Sequence, residues 1–323
     1  MTAKETDDGR RRPRRAGCAL ISRDLDEPMV GAAGRADAWV LVEHPGPWPS
    51  EAPEGIVPDE VLEHLEQPGV RVVLIRRPRS RTVTRPVCFV ASTHPAGPWV
   101  RRVEVDTYDD LLAVDVTAAV AGDRPTQGET HDRPLVLVCT HGRRDVCCAE
   151  LGRPLLPGMA ARDDVDVWEC THVGGDRFAA NVVLLPHGLH YSRLVDETAA
   201  AVLDAYVDGR VFSEHLRGRS AFSQPGQVAE HAVRQLTGIT EIDGFEVLDE
   251  SVSDDGTSAR VEIRHRSETF VVRAERTPTP GAPTTHACVR GAEPARWSSW
   301  RAVTVVSPVA EPPTAGHGGI LGA

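Results

Sequence analysis

The 323-residue chain is short of basic charge: 36 arginines and lysines stand against 47 aspartates and glutamates, a net charge of −11. A surface that binds nucleic acid or anionic lipid needs a basic excess, so neither partner is expected. There is a single lysine, Lys4, which we read as composition bias. No apolar run approaches the ~20 residues that cross a bilayer. The basic run Gly9–Arg15 is followed by too short an apolar stretch for a secretory signal, and a cytoplasmic location is expected. Glycine-rich dinucleotide or phosphate fingerprints are missing. So is any Cys-x-x-Cys pair, which counts against a dithiol oxidoreductase. No pair of carboxylates is placed for glycoside hydrolysis.

What is present is an apolar complement of 41% with 26% charged residues, enough for a folded core. Length suggests two domains or one elaborated domain. Residues 1–17 read as a disordered basic tail, 18–125 as an N-terminal α/β subdomain and 134–210 as a second α/β unit. Residues 211–308 read as an α+β extension and 309–323 as a loose tail. In the first unit, strands are expected near 39–43, 70–75, 87–91 and 100–105, with helices near 59–65 and 108–120. Glycine, proline and polar residues over 121–133 mark a linker. The continuous apolar run Leu135–Val138 reads as a strand buried on both faces. A helix over 149–161 is interrupted or ended near Pro154 and Pro157. Strands near 165–169, 181–185 and 189–194 and a helix over 196–208 complete a mixed-sheet layout. After a helix near 225–236 come three meander strands, near 245–252, 259–265 and 269–275. His44-Pro-Gly-Pro-Trp48 and His94-Pro-Ala-Gly-Pro-Trp99 echo each other but are too short to establish a repeat.

Seven cysteines occur, an odd number that argues against a disulfide framework, and four fall between Cys139 and Cys170. In Cys139-Thr-His-Gly-Arg-Arg-Asp-Val-Cys147-Cys148, a buried strand delivers Cys139 to a loop, and Cys147 and Cys148 open a helix. Helix N-termini and nearby arginines favour thiolates, and two thiolates at the ends of one loop can converge on a metal. In Cys170-Thr-His172-Val-Gly-Gly-Asp176, a strand again ends in a polar loop, and Gly174-Gly175 lets the chain fold so that His172 and Asp176 face one centre. The alternative for each segment taken singly is ordinary: buried packing cysteines and a satisfied loop histidine.

Together, Cys-Thr-His-Gly-Arg-Arg-Asp-Val-Cys-Cys and Thr-His-Val-Gly-Gly-Asp-Arg-Phe-Ala-Ala-Asn resemble the sucrase/ferredoxin-like family. Cys18-Ala-Leu and Glu43-His-Pro-Gly-Pro-Trp48 resemble its opening motif, so the likeness runs from about residue 18 to 210. The resemblance implies an α/β fold with a thioredoxin-like ferredoxin core and a [2Fe-2S] cluster held by two cysteines and two histidines. Laid on this chain, those positions are Cys139, Cys148, His172 and Asp176, the last departing from the family's histidine. A carboxylate is a harder donor that keeps its charge, so a more labile, lower-potential cluster is expected. Cys170 and Cys147 are rival donors for the fourth position.

The leading expectation is therefore an iron–sulfur electron carrier rather than a catalyst, serving an unidentified reductase or acceptor protein. The alternatives are a redox-silent zinc protein using the same residues and a metal-free interaction scaffold. Cys18, Cys88 and Cys288 read as packing residues, with Cys18 near the site, and His187 and His190 as surface hairpin residues. Arg143, Arg144 and Arg177 are candidates to hydrogen-bond cluster sulfides or dock a partner, and the amides of Gly142, Gly174 and Gly175 to tune the cluster.

Overall fold

The computed structural model describes residues 17–78, 80, 85–279, 284, 287–288 and 293–306; the expected tails fall outside these apart from Gly17. The fold is mixed α/β with two sheets. The chain opens with α1 (Cys18–Asp24) and β1 (Ala38–Glu43), then α2 (Asp59–Leu65), β2 (Val70–Arg76), β3 (Val87–Ser92) and β4 (Trp99–Glu104). A 3₁₀ turn at Tyr108–Ala113 leads to α3 (Val116–Ala121) and the short β5 (Glu129–Thr130). Next come β6 (Leu135–Cys139), α4 (Val146–Gly152), α5 (Leu156–Met159), β7 (Asp166–Cys170), β8 (Val182–Leu185), β9 (Leu189–Tyr191) and α6 (Asp196–Val207). The chain continues through β10 (Leu216–Arg219) and α7 (Gln224–Thr237) to β11 (Phe245–Val252), β12 (Ser258–His265), β13 (Glu268–Pro278) and β14 (Ser298–Val306).

The large sheet has the order β10-β9-β8-β6-β7-β2-β1-β3-β4-β5 and holds the same path twice. In the first half β1 pairs parallel with β2 and antiparallel with β3, which pairs antiparallel with β4. In the second half β6 pairs parallel with β7 and antiparallel with β8, which pairs antiparallel with β9. A helix crosses over between the parallel strands of each half. The halves meet at β2 and β7, where only Ile75 with Cys170 and Arg76 with Glu169 are paired. The two His-Pro-x-Pro-Trp-type segments follow β1 and β3 of one half, so they do not mark this duplication.

Side chains alternate along each strand, and the alternation assigns the cores. Val40 and Val42 face the helices of the first half, and Val136 and Val138 face those of the second. Trp39, Leu41, Leu135, Leu137 and Cys139 join one buried cluster shared by both halves. Phe89 meets Trp168 edge-on at 5.5 Å inside it. The continuous apolar runs read from the sequence are strands buried on both faces for this reason. Cys139 consequently looks toward the junction of the two halves.

Three local expectations are corrected. The segment 108–120 is not one helix: Thr107 and Asp110 form a capping box on the 3₁₀ turn, and the Asp115 side chain accepts from Ala118 N to start α3 separately. The helix expected over 149–161 starts earlier, at Val146 under an Asp145 cap, while its break into short pieces around Pro154 and Pro157 is as expected. The C-terminal meander has a fourth strand, β14, paired along β13.

Candidate metal centre

The second half places its two polar loops at the same end of the parallel pair. Cys139 ends β6 and is the register partner of Cys170, which ends β7. Asp145 caps α4 by accepting from Cys147 N at 2.8 Å, which starts the helix just before the two cysteines. Gly152 then lets α4 lie against the strand end: a β-carbon there would come within 2.2 Å of the Cys139 carbonyl oxygen. Neighbouring helix residues point about 100° apart, so the vicinal pair divides. Cys148 enters the shared core beside Cys139, and Cys147 turns toward Cys18 and Ala179.

Cys139, Cys148 and His172 bring their donor atoms within 4.8 Å of one another. Asp176 is buried alongside: its Oδ1 lies 2.8 Å from His172 Nδ1 and 3.4 Å from Cys148 Sγ. All four residues that the sequence nominates thus meet in one place. The turn between His172 and Asp176 depends on Gly174 and Gly175, both left-handed at φ +83° and +80°. Cys170, the rival donor, is wholly buried behind Cys139 and lies outside the three-donor group. Cys147 belongs to a separate group.

The electrostatics favour an anionic sulfur at Cys139. Hydrogen bonds from the Cys148 and Cys170 thiols, and then from His172, hold its thiol well below the ordinary value against the opposing effect of burial. The Cys148 thiol is pushed up by its bond to Cys139 and by burial. Burial chiefly pushes up the Cys170 thiol. Burial would depress His172, but Asp176 and Cys139 outweigh it and raise the imidazole to about 9.

Two arginines that sequence reasoning did not nominate close the site. Arg71 on β2 donates to the His172 carbonyl at 2.8 Å, reaching across from the first half. Arg217 on β10 is fully buried and donates to the Gly174 carbonyl at 3.0 Å and to the Ala32 carbonyl. Neither follows a motif, and only the meeting of distant strands shows them.

The other candidates are dispersed. Arg144 pairs with Glu51 at 2.6 Å, and Arg177 pairs with Glu27 and lies over Phe178. Arg143 is exposed. The Gly142 amide bonds to the Thr140 carbonyl, so it is already satisfied. His190 is not a surface residue: it is 1% exposed on β9, beside Trp39. His187 bonds Tyr206 Oη at 2.7 Å. Cys88 is a core residue of the first half. Cys18 and Cys288, expected as separate packing residues, instead gather with Asp145 and Cys147.

Residues 29–218 match the family model described as sucrase/ferredoxin-like. The chain belongs to the sucrase/ferredoxin-like family. This family member resembles the altered inheritance of mitochondria protein 32 of three yeasts. Identity is 32% over 98 residues with the Debaryomyces hansenii protein, covering 27% of this chain and 36% of that one. It is 30% over 124 residues with the Clavispora lusitaniae protein, covering 35% and 45%. With the Meyerozyma guilliermondii protein it is 34% over 98 residues, covering 26% and 34%. The chain thus spans between about a third and under half of these relatives' length. No solved structure matches it.

Proposed function

We propose that Cys139, Cys148, His172 and Asp176 hold a [2Fe-2S] cluster and that this protein is a one-electron carrier. The observation carrying the reading is the convergence of two buried sulfurs, one imidazole and one carboxylate from two loops at one sheet end. In this reading the two cysteines bind one iron, and His172 with Asp176 the other. When bound, the cluster supplies a one-electron couple. The β-α-β-β-β-α path of residues 135–207, with strand order β9-β8-β6-β7, supports reading this half as a thioredoxin-like ferredoxin core.

The chain's own residues fit that role. Two thiolates and a carboxylate bring negative charge into a buried place, and Arg71 and Arg217 lie beside it to offset the charge. Backbone anchoring of both guanidinium groups leaves their positive charges without a carboxylate ion-pair partner among the described residues. His172 is the ligand nearest solvent, with 20% of its side chain exposed. It opens into a groove of about 300 Å³ lined by Glu51, Glu54, Glu66, Arg71 and Arg144. A reductase or acceptor protein would dock there, with its electron path through the imidazole edge.

Seven unpaired cysteines suit a reducing compartment. The expected cytoplasm is one, while the relatives' name points to mitochondria. No helix among the described residues is long and apolar enough to cross a membrane.

Anaerobic purification followed by visible absorption and iron, sulfide and zinc analysis tests the proposal. A coloured protein with matched iron and sulfide supports it. Zinc at this site without sulfide would replace it by the redox-silent reading, and absence of any metal by the scaffold reading.

A further inference from the structure

The cysteine that α4 turns away from the cluster site enters a second donor group. Cys18, Asp145, Cys147 and Cys288 present three sulfurs and a carboxylate oxygen, all within 4.8 Å of one another. The members are remote in sequence: α1, the cap of α4, its first turn and the C-terminal segment after β13. Cys18 Sγ lies 3.8 Å from Cys147 Sγ, Cys147 Sγ lies 3.5 Å from Cys288 Sγ, and Cys18 Sγ lies 3.6 Å from Asp145 Oδ2.

These separations have a simple geometric meaning. Four donors around zinc, with Zn–S bonds of about 2.3 Å and a Zn–O bond of about 2.0 Å at tetrahedral angles, stand about 3.8 Å apart for two sulfurs and about 3.5 Å for sulfur and oxygen. These three edges lie within about 0.3 Å of those values, and the other three lie within 4.8 Å. A disulfide would need one sulfur pair at about 2.05 Å and would leave the third cysteine over. Two further features fit a built site. The Cys18 amide donates to Cys288 Sγ at 3.2 Å, the kind of bond that orients a thiolate ligand. Gly17 has no β-carbon where one would press to 2.6 Å from Cys147 Sγ, so the backbone can approach the sulfurs.

We propose that Cys18, Cys147, Cys288 and Asp145 form a structural zinc site, separate from the cluster site and closed to substrate. The ion ties the N-terminal helix and the C-terminal segment to the start of α4, the helix that carries Cys148. The vicinal cysteines are then divided by function, Cys148 to the first centre and Cys147 to the second. This inference holds whichever metal the first centre takes.

The test uses full-length protein and zinc alone as probe. Cys139→Ser/Cys148→Ser protein, which lacks the first centre's sulfurs, is reduced, loaded with zinc and passed through gel filtration. It should retain one equivalent, and cobalt in its place should show the intense ligand-field bands of a tetrahedral thiolate site. Cys18→Ser/Cys288→Ser protein should lose that equivalent while keeping the first centre's chromophore or metal. Cys288 is the accessible member of the group, so Cys288→Ser alone guards against misfolding; it should weaken zinc retention against a chelator at least tenfold. Retention unchanged in both of these variants, or no zinc in the Cys139→Ser/Cys148→Ser protein, overturns the proposal. So does peptide mapping of freshly isolated wild-type protein that finds a Cys18–Cys147 or Cys147–Cys288 disulfide in place of zinc.

Discussion

Replacing Gly175 by alanine isolates what holds the His172–Asp176 loop, because the adjacent Gly174 is a matched control. Both glycines are left-handed, at φ +80° and +83°. A side chain in that region costs about 1–2 kcal/mol at either position. At Gly174 nothing lies within 4 Å of an added β-carbon, so the conformational cost is the whole effect. At Gly175 the added carbon would stand 2.6 Å from both terminal nitrogens of Arg217. Ordinary contact is about 3.5 Å, so the guanidinium must retreat by about 0.9 Å. Its bonds to the Gly174 and Ala32 carbonyls and to Asn181 Oδ1 cannot all survive. One lost hydrogen bond to a buried charged group costs about 1.5–3 kcal/mol. We expect Gly174→Ala to lose about 1–2 kcal/mol and Gly175→Ala about 2.5–5 kcal/mol, by urea denaturation with unchanged m-values. Gly175→Ala should also release the first centre's metal faster, since Arg217 and the loop move together. Equal losses within about 0.5 kcal/mol would refute the Arg217 anchor.

Three further outcomes follow from the same geometry. Cys148→Ser should abolish the visible chromophore and Cys147→Ser should retain most of it, as absorption spectra of the two proteins will show; the reverse pattern would mean that the wrong neighbour was assigned. Asp176→His should give a more stable, higher-potential cluster and Asp176→Ala a labile one; spectra, cluster content and potential unchanged in Asp176→Ala would remove the aspartate from the ligand set. Glu230 on α7 is buried between Arg219 at 3.0 Å and Arg234 at 2.8 Å. Burial alone would raise its pKa, but the two arginines win and lower it from 4.5 to about 2, corresponding to about 3 kcal/mol of stabilisation. Because the folded value is depressed, this stabilisation is present above pH 4.5 and is lost as pH falls toward 2; Glu230→Gln should lose a similar amount at pH 7 and flatten that acid dependence in denaturation curves.

The sequence by itself determined most of the local elements and nominated four residues that the structure brings together. Leu135–Val138 is apolar throughout because it is covered on both faces. The glycine-turn signal at Gly174-Gly175 acts over a few residues, so it is readable in order along the chain, whereas the Asp145 cap that starts α4 early is not among the sequence expectations. Cys139, Cys148, His172 and Asp176 could be nominated together because the two motifs shared with the family fix their spacings along the chain. What tertiary structure decided is everything carried by contacts between distant segments. The duplicated strand path has no matching sequence motif, since packing needs only apolar residues at alternate positions and not the same ones. Arg71 and Arg217 look like ordinary strand arginines until β2 and β10 bring them to one loop. Cys18, Cys147 and Cys288 are separated by more than a hundred residues, and no local spacing rule can pair them. Their grouping depends on how α1 and the C-terminal segment close over α4, a matter of long-range packing rather than of local sequence.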